Sequence, residues 1–270
     1  KNNKKLNVLI VGCGYNEAIF RSMRSPNFSF TGIDNSIKAI EHHSKQIKDY
    51  KIKNLKVVAS DILDFNDDKF DVIYCLDFLS YQKKPLNTLK HLSSLLHDDG
   101  IILMSVDTSL YFNEVNLIRN IFLDLGYSYD NKEDIHECFE VIKKFDAFHP
   151  SRIAILNMPK RSVEIDNFID INEFASRFLR PVHNSFSVKD VFDLIDKSGL
   201  TFQSWYDNSL YYPSIVFSPY FMPNFTSKLS NLKLINQWDA VCSIKGAFSE
   251  HYKHTFAITK NLSNSFVYEE

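Results

Sequence analysis

Two glycines and an aspartate near the start of the chain have the types and the spacing needed to hold a nucleotide-like ligand. Gly12 and Gly14 directly follow an apolar run, and a stretch compatible with a helix extends from residue 16 to residue 23. A strand, a tight turn and a helix start in this order allow a ligand to approach the backbone closely. Asp34 ends the next short apolar segment, and a carboxylate at that position can accept hydrogen bonds from both hydroxyls of a ribose.

The strands needed to position these residues can be read from the first hundred residues. Apolar segments 55–59, 70–75 and 101–106 follow the first two strands, and a helix-compatible segment, 85–96, precedes the last of them. Strands that alternate with helices in this way are typical of a parallel sheet covered on both faces. The sequence therefore predicts an α/β fold.

Four segments together resemble the class I S-adenosylmethionine-dependent methyltransferases. They are residues 8–14 with the Gly-x-Gly turn, Gly32-Ile33-Asp34, Ser60-Asp61-Ile62, and residues 70–73 ahead of Asp99-Gly100. The resemblance implies a Rossmann-like methyltransferase fold, with a mostly parallel seven-stranded sheet whose last strand is antiparallel. It also implies S-adenosylmethionine as the cofactor, bound over the carboxyl ends of the first strands.

Carried over position by position, the resemblance assigns a set of residues to the cofactor. The glycine turn lies against the methionine part, the acid after the second strand holds the ribose, and the Asp-Ile pair flanks the adenine. The loop after the fourth strand lies next to the methionine end. The predicted cofactor residues are Gly12, Cys13, Gly14, Asp34, Asn35, Asp61, Ile62, Leu76 and Asp77.

Two positions depart from the family pattern. The family commonly has an acidic residue where Ile10 stands and a third glycine where Asn16 stands. Asn tolerates a positive φ better than most other residues, so we expect the turn to keep its shape. Glu17 is close enough in sequence to take the place of the missing acid. Whether the two departures weaken cofactor binding stays open.

The second half of the chain is similar to one bacterial methyltransferase subgroup, which is often fused to tetratricopeptide repeats. Residues 174–188, Trp238 and residues 254–258 carry this similarity. It implies that the chain can be part of a larger multi-domain protein. The sequence leaves the oligomeric state open.

We expect a single methyltransferase domain over residues 1–270. About eighty residues separate the fifth strand from the helix that begins near Ser187, far more than the few that normally join a strand to a helix. A second long insertion follows the next strand. We predict a core of residues 6–106, 187–206 and 253–260, with cap insertions at about 107–186 and 207–252 that form a lid over the acceptor pocket.

Three residues outside the cofactor motifs are catalytic candidates that could contact the acceptor. His183 precedes the last core helix, and a histidine titrates near neutral pH, so it could act as a base or could simply tie down its loop. Arg180 could clamp an acceptor carboxylate or phosphate, or form an ion pair with an acid of the lid. Tyr211, like Tyr81, could wall an aromatic pocket or be buried with a satisfied hydroxyl.

Composition and spacing argue against several classes of partner. The formal net charge is −2, so no basic field would attract nucleic acid. No apolar run is long enough to span a bilayer, so no membrane partner is expected, and four cysteines without a Cys-x-x-Cys spacing indicate reduced thiols. These features favour a cytoplasmic protein. His42 and His43 are adjacent and no His-x3-His pattern occurs, so no metal site is expected.

Together these observations predict S-adenosylmethionine-dependent methyl transfer to a small-molecule acceptor under the lid. A general base is needed only if the acceptor arrives protonated. Two alternatives stay open. One is a protein or peptide methyltransferase that docks its substrate on the aromatic second insertion, and the other is a non-catalytic scaffold that binds the cofactor. A nicotinamide dehydrogenase is disfavoured because residues 15–17 lack the third glycine of its fingerprint.

Overall fold

One sheet organises the chain, whose computed structural model describes residues 5–146, 149, 169–207, 211–216, 220, 222–245 and 253–261. Its strands are β1 (Asn7–Val11), β2 (Ser29–Asp34), β3 (Leu55–Ala59), β4 (Phe70–Cys75), β5 (Leu96–Asp107), β6 (Thr201–Trp205) and β7 (Lys253–Thr259). The seven strands lie in the order β3-β2-β1-β4-β5-β7-β6. β7 is antiparallel to both of its neighbours, and the other paired strands are parallel. The predicted α/β fold with an antiparallel last strand is confirmed.

Helices connect these strands within the described ranges. They are α1 (Glu17–Arg24), α2 (Ile37–Asp49), α3 (Pro85–Ser94), α4 (Ser109–Asp124), α5 (Lys132–Lys143), α6 (Ile171–Phe178), α7 (Val188–Ser198), α8 (Pro213–Val216), α9 (Pro223–Ser230) and α10 (Leu234–Lys245). A short 3₁₀ turn, Leu79–Tyr81, follows β4. In this part of the chain no helix is both long and apolar enough to cross a membrane.

The Gly-x-Gly turn joins β1 to α1. Gly12 and Gly14 have φ angles of 65° and 54°, in the left-handed region that favours glycine. The backbone N–H groups of Gly12 and Cys13 donate to Ile33 O at 2.9 and 3.1 Å, which ties the turn to β2. Asn16 has a φ of −135°, so the turn does not require a positive φ at that position.

The two departures from the family pattern have local explanations. Ile10 is fully buried in a hydrophobic cluster with Val8 and Ala18, so this position packs the core. Glu17 Oε1 accepts a hydrogen bond from Arg21 Nε at 2.8 Å. The acid expected to replace the missing one is therefore engaged with a neighbour on its own helix.

The helices between β5 and α7 pack around a hydrophobic cluster of their own. It consists of Phe112, Val115, Phe122, Cys138, Ile142, Ile169, Phe174, Phe178 and Leu179. A separate small core is compatible with a cap, and the division into core and cap insertions stays a prediction. Residues 147–148 and 150–168 of the first insertion, and 208–210, 217–219, 221 and 246–252 of the second, lie outside the described residues.

Candidate active site

A cleft of about 470 Å³ opens where the carboxyl ends of β1, β2 and β3 meet. Its volume lies within the range of about 300–1,000 Å³ that is usual for small-molecule sites. The predicted cofactor residues that line it are Gly12, Asp34, Asn35, Asp61 and Ile62. The structure therefore brings the glycine turn, the ribose acid and the adenine pair to one cavity.

Asp34 is held rigidly at the edge of this cleft. Its Oδ2 accepts a hydrogen bond from the Gly14 backbone N–H at 3.0 Å, and its Oδ1 accepts one from the Ser36 N–H at 2.9 Å. A carboxylate has about four lone-pair positions, so two backbone donors orient Asp34 without exhausting it. The remaining positions can accept hydrogen bonds from ligand hydroxyls.

Gly12 is needed for packing as well as for its backbone angle. A Cβ atom at this position would lie 2.4 Å from Phe78 Cδ2, well inside van der Waals contact. Phe78 lines the cleft in the loop after β4, and its ring covers the Gly12 α-carbon. The Phe78 side chain therefore occupies part of the space beside the turn that a ligand was expected to approach.

Asp61 and Ile62 begin a short turn after β3. Asp61 Oδ1 accepts a hydrogen bond from the Leu63 N–H at 2.8 Å, and the Phe65 N–H donates to Ile62 O at 3.3 Å. Ile62 is 2% exposed, whereas Asp61 is exposed. The turn therefore presents one acid and one apolar surface to the same part of the cleft.

Three predicted cofactor residues do not line the cleft by their side chains. Cys13 is buried, and burial raises the pKa of its thiol to about 12. Gly14 contributes its backbone N–H to Asp34. Leu76 lies in the loop after β4, outside the lining of this cavity. Their predicted contacts with the cofactor stay predictions.

Asp77 also lies outside the cleft lining, but in an unusual conformation. Its φ is 55°, a left-handed angle that non-glycine residues rarely adopt. Its N–H donates to Ser105 Oγ at 2.9 Å, and the same hydroxyl donates to Asp77 Oδ1 at 2.7 Å. Lys253 forms an ion pair with Asp77 Oδ2. β5 and β7 therefore hold this carboxylate at the carboxyl end of β4.

His183 lies behind the cleft wall. Its side chain is 0% exposed, its Nε2–H donates to Asp107 Oδ2 at 2.8 Å, and its Nδ1 lies 2.9 Å from Asn116 Oδ1. The rings of Tyr81 and Phe112 pack against it, with centroids 5.3 and 4.6 Å away. Because both ring nitrogens face protein atoms, this arrangement favours a histidine that ties down its loop. A catalytic role stays a prediction.

Arg119 completes the buried polar cluster around His183. It is 3% exposed and donates to Asn116 Oδ1 and to Arg177 O. Burial lowers the pKa of Arg119 to about 10. Burial also lowers the pKa of His183 from its ordinary value, with the charge of Arg119 acting in the same direction and the hydrogen bond that His183 donates to Asp107 opposing it. The cluster joins β5, α4 and the segment before α7.

Arg180 reaches the cleft only through Tyr81. Its guanidinium carbon lies 4.2 Å from the centroid of the Tyr81 ring, the geometry of a cation–π contact. Tyr81 lines the cleft, and burial, followed by the charge of Asp107, raises the pKa of its hydroxyl to about 12. Arg180 therefore supports one wall of the cavity, and a direct contact with the acceptor stays a prediction.

Tyr211 lies in a different part of the molecule. It is 1% exposed and stacks on Trp205 with ring centroids 3.9 Å apart. Its hydroxyl lies 3.0 Å from His254 Nδ1, and burial raises its pKa far above the ordinary value. The structure does not bring Tyr211 together with the cleft residues, which favours the buried aromatic over the pocket wall.

Sequence reasoning missed several of the side chains that line the cleft, including those of Phe78 and Thr88. Phe78 and Thr88 lie in the loop after β4 and in α3. An aromatic residue directly after Asp77 offered a weak signal for the first. For Thr88 the sequence offered none, because a threonine in a helix is ordinary. Within the described residues no group of three or more His, Cys, Asp or Glu side chains is placed to hold a metal ion.

Comparisons with known proteins bear on both halves of the chain. Residues 2–121 match a family model described as a methyltransferase domain. An uncharacterised protein of Rickettsia prowazekii is 31% identical over 143 residues, covering 51% of this chain and 57% of that protein. The (S)-coclaurine N-methyltransferase of Papaver somniferum is 29% identical over 97 residues, covering 35% of this chain and 28% of that enzyme.

One solved structure is similar to almost the whole chain. PKMT2 from Rickettsia typhi, in complex with AdoHcy, matches with a TM-score of 0.70 and 21% identity, over 97% of this chain and 50% of that chain. At this identity the match concerns the fold. The chain spans about half the length of PKMT2 and of the Rickettsia prowazekii relative.

Proposed function

Since the chain belongs to the class I S-adenosylmethionine-dependent methyltransferases, we propose that it transfers the methyl group of that cofactor to a small-molecule acceptor. The observation that carries the proposal is the rigid Asp34 carboxylate, oriented by two backbone N–H groups at the edge of the cleft. The glycine turn and the pair Asp61-Ile62 line the same cavity. These residues fit S-adenosylmethionine, because the cleft offers a carboxylate to the ribose hydroxyls and the pair Asp61-Ile62 to the adenine.

When bound, S-adenosylmethionine supplies an electrophilic methyl group, and displacement at that carbon requires alignment of the nucleophile. Asp34 fixes the ribose by its free lone pairs, and Asp61 with Ile62 fixes the adenine. Tyr81, backed by Arg180, and Val182 also line the cleft. The chain thus acts mainly by positioning the cofactor and the acceptor.

Two features support a small acceptor. The cavity is a cleft of about 470 Å³, lined by residues of the sheet edge together with Val182 of the predicted cap. The plant relative is named for N-methylation of (S)-coclaurine, a small molecule. We place the acceptor between the Tyr81 wall and the predicted cap, where Lys83 and Lys84 are charged residues of the same cleft lining.

Binding of the demethylated cofactor tests the site. We expect S-adenosylhomocysteine to bind the wild-type protein in isothermal titration calorimetry, and Asp34→Ala to weaken it about 100-fold or more, because two hydrogen bonds to a charged group are lost. Asp99→Ala removes an exposed acid near the start of β5 and serves as the matched control. An Asp34→Ala variant that folds and binds with wild-type affinity would contradict the assignment.

Turnover tests the acceptor class. Methyl transfer from labelled cofactor to a panel of small amines, phenols and thiols should give product with at least one member. Product formed only with proteins or peptides would overturn the small-molecule proposal. Cofactor binding without transfer to any acceptor would instead favour a scaffold.

A further inference from the structure

One buried hydroxyl on the cleft wall is left without a hydrogen-bond partner. Thr88 is 1% exposed and lines the cleft, and its Oγ1 has no partner among the described residues. A helical threonine often bonds the carbonyl four residues earlier. Here the Lys84 carbonyl accepts the Thr88 backbone N–H at 3.1 Å, and the hydroxyl makes no such bond.

An unpaired buried hydroxyl destabilises a fold, because it has lost its hydrogen bonds to water and gained none. Valine has the same shape and avoids this loss. A threonine that lines a ligand cavity and carries an orphaned hydroxyl therefore points to a ligand that completes the hydroxyl's hydrogen bonding.

The face of α3 that carries Thr88 is turned to the adenine side of the cleft. His91 lies three residues further on, and residues with that spacing share one helix face. Its Nε2–H donates to Phe65 O at 2.9 Å, which fixes this face of α3 against the turn after β3. The same turn supplies Asp61 and Ile62 to the cleft.

We propose that the Thr88 hydroxyl hydrogen-bonds the adenine base of S-adenosylmethionine. This rests on the proposed function, because it requires the same cofactor in the same cleft. A hydroxyl both donates and accepts, so it is complementary to the ring nitrogens and to the amino group of adenine. Asp61 is exposed and Thr88 is buried, so Thr88 supplies the water-excluded polar contact to the base.

The chain offers a matched control for this assignment. Thr226 on α9 is also buried, at 6% exposure, and its Oγ1 likewise has no partner among the described residues. It is not part of the cleft lining. Thr226→Val therefore makes the same chemical change as Thr88→Val, away from the cofactor.

Calorimetric titration with S-adenosylhomocysteine tests the proposal. We expect Thr88→Val to raise the Kd about 3- to 10-fold, the loss of one buried neutral hydrogen bond. Thr88→Ser, which keeps the hydroxyl, should stay within about 2-fold of wild type. Thr226→Val should leave the Kd unchanged. The penalty of Thr88→Val should persist with 5′-methylthioadenosine, which retains adenine and lacks the amino-acid part.

Thermal unfolding separates folding from binding. Both valine variants should unfold at or above the wild-type temperature, because each removes an orphaned polar group. A folded Thr88→Val protein that binds S-adenosylhomocysteine as tightly as wild type overturns the Thr88 assignment and leaves the proposed function standing. A wild-type protein that does not bind S-adenosylhomocysteine overturns both.

Discussion

The acids at the ends of β2 and β5 occupy equivalent places in one sheet but hold different things. Asp34, the last residue of β2, is half-buried and accepts hydrogen bonds from two backbone N–H groups. Asp107, at the end of β5, is 3% exposed and accepts the Nε2–H of His183. The first acid is oriented and still open to a ligand, whereas the second is enclosed by the protein.

The difference shows how one sheet edge serves two purposes. At β2 the backbone N–H groups of Gly14 and Ser36 are the donors, so the Asp34 side chain keeps free lone pairs beside the cleft. At β5 the donor to Asp107 is the side chain of His183, from a segment that packs over the sheet. His183 and Asn116 link the strand end to α4 and to the segment before α7. The β2 end is therefore suited to binding, and the β5 end to joining the predicted cap to the sheet.

Removing His183 should have the largest effect on folding. We expect His183→Ala to lower the free energy of unfolding by about 3–5 kcal/mol, because Asp107 is left buried without its partner. The affinity for S-adenosylhomocysteine should change little, since His183 does not line the cleft. Chemical denaturation and calorimetry of the same variant measure the two quantities.

An exposed histidine of α5 provides the control for that substitution. His136→Ala should change the free energy of unfolding by no more than about 0.5 kcal/mol, because His136 is exposed. A His183→Ala protein with wild-type stability and cofactor affinity but no turnover would contradict the purely structural role of the β5 end. The catalytic role predicted from the sequence would then be supported.

Adding one methyl group at Gly12 should damage the β2 end next most strongly. Gly12→Ala combines a φ of 65° with a Cβ 2.4 Å from Phe78 Cδ2. We expect the affinity for S-adenosylhomocysteine to fall by about 10-fold or more, because left-handed strain alone is worth about 1–2 kcal/mol. Calorimetry measures the affinity.

Two further glycines separate the causes of that loss. Gly14→Ala introduces left-handed strain in the same turn with nothing within 4 Å of the new Cβ. Gly199→Ala introduces it at the end of α7, equally without a neighbour, and should affect stability alone. If Gly12→Ala and Gly14→Ala weaken binding equally, the Phe78 ring moves aside and the packing argument fails.

The sequence predicted the fold well because its signals are local. The helix α7 was expected to begin near Ser187. Ser187 and Asp190 form its capping box, and Gly199 ends it with a φ of 74°. β5 was expected from residue 101 but begins at Leu96. The first part of β5 contains the polar residues 97–99, which do not look like a strand in the sequence. Its pairing with β4 includes a register shift between Phe70 and Val72.

Site residues were predictable where their place depends on following a strand, and unpredictable where it depends on packing between segments distant in sequence. Asp34 and Asp61 follow strands, and the carboxyl ends of parallel strands meet at one edge. His183 was chosen because of its chemistry, yet its burial depends on helices distant in sequence. Thr88 shows the opposite case, because an orphaned hydroxyl exists only once the chain has folded around it.

Acidification should have the smallest effect on the free energy of unfolding. Part of that effect should come from His43, a second buried histidine at the β2 end. His43 on α2 is 0% exposed, and neither ring nitrogen has a hydrogen-bond partner among the described residues. Burial lowers its pKa below the ordinary value of 6.5, with the nearby backbone of Cys13 and Gly14 opposing this. Below about pH 6.5 the unfolded chain therefore binds a proton that the folded chain does not.

The free energy of unfolding should consequently fall as the pH decreases through about 6.5, by up to about 1.4 kcal/mol per pH unit until His43 titrates in the folded state. His43→Leu should flatten this part of the stability profile, measured by urea denaturation between about pH 5 and pH 7. His42→Leu, at the exposed neighbouring position, is the matched control. An unchanged profile in His43→Leu would assign the whole acid response to other groups, with the His183 cluster at the β5 end the first to examine, since burial lowers the pKa of that histidine too.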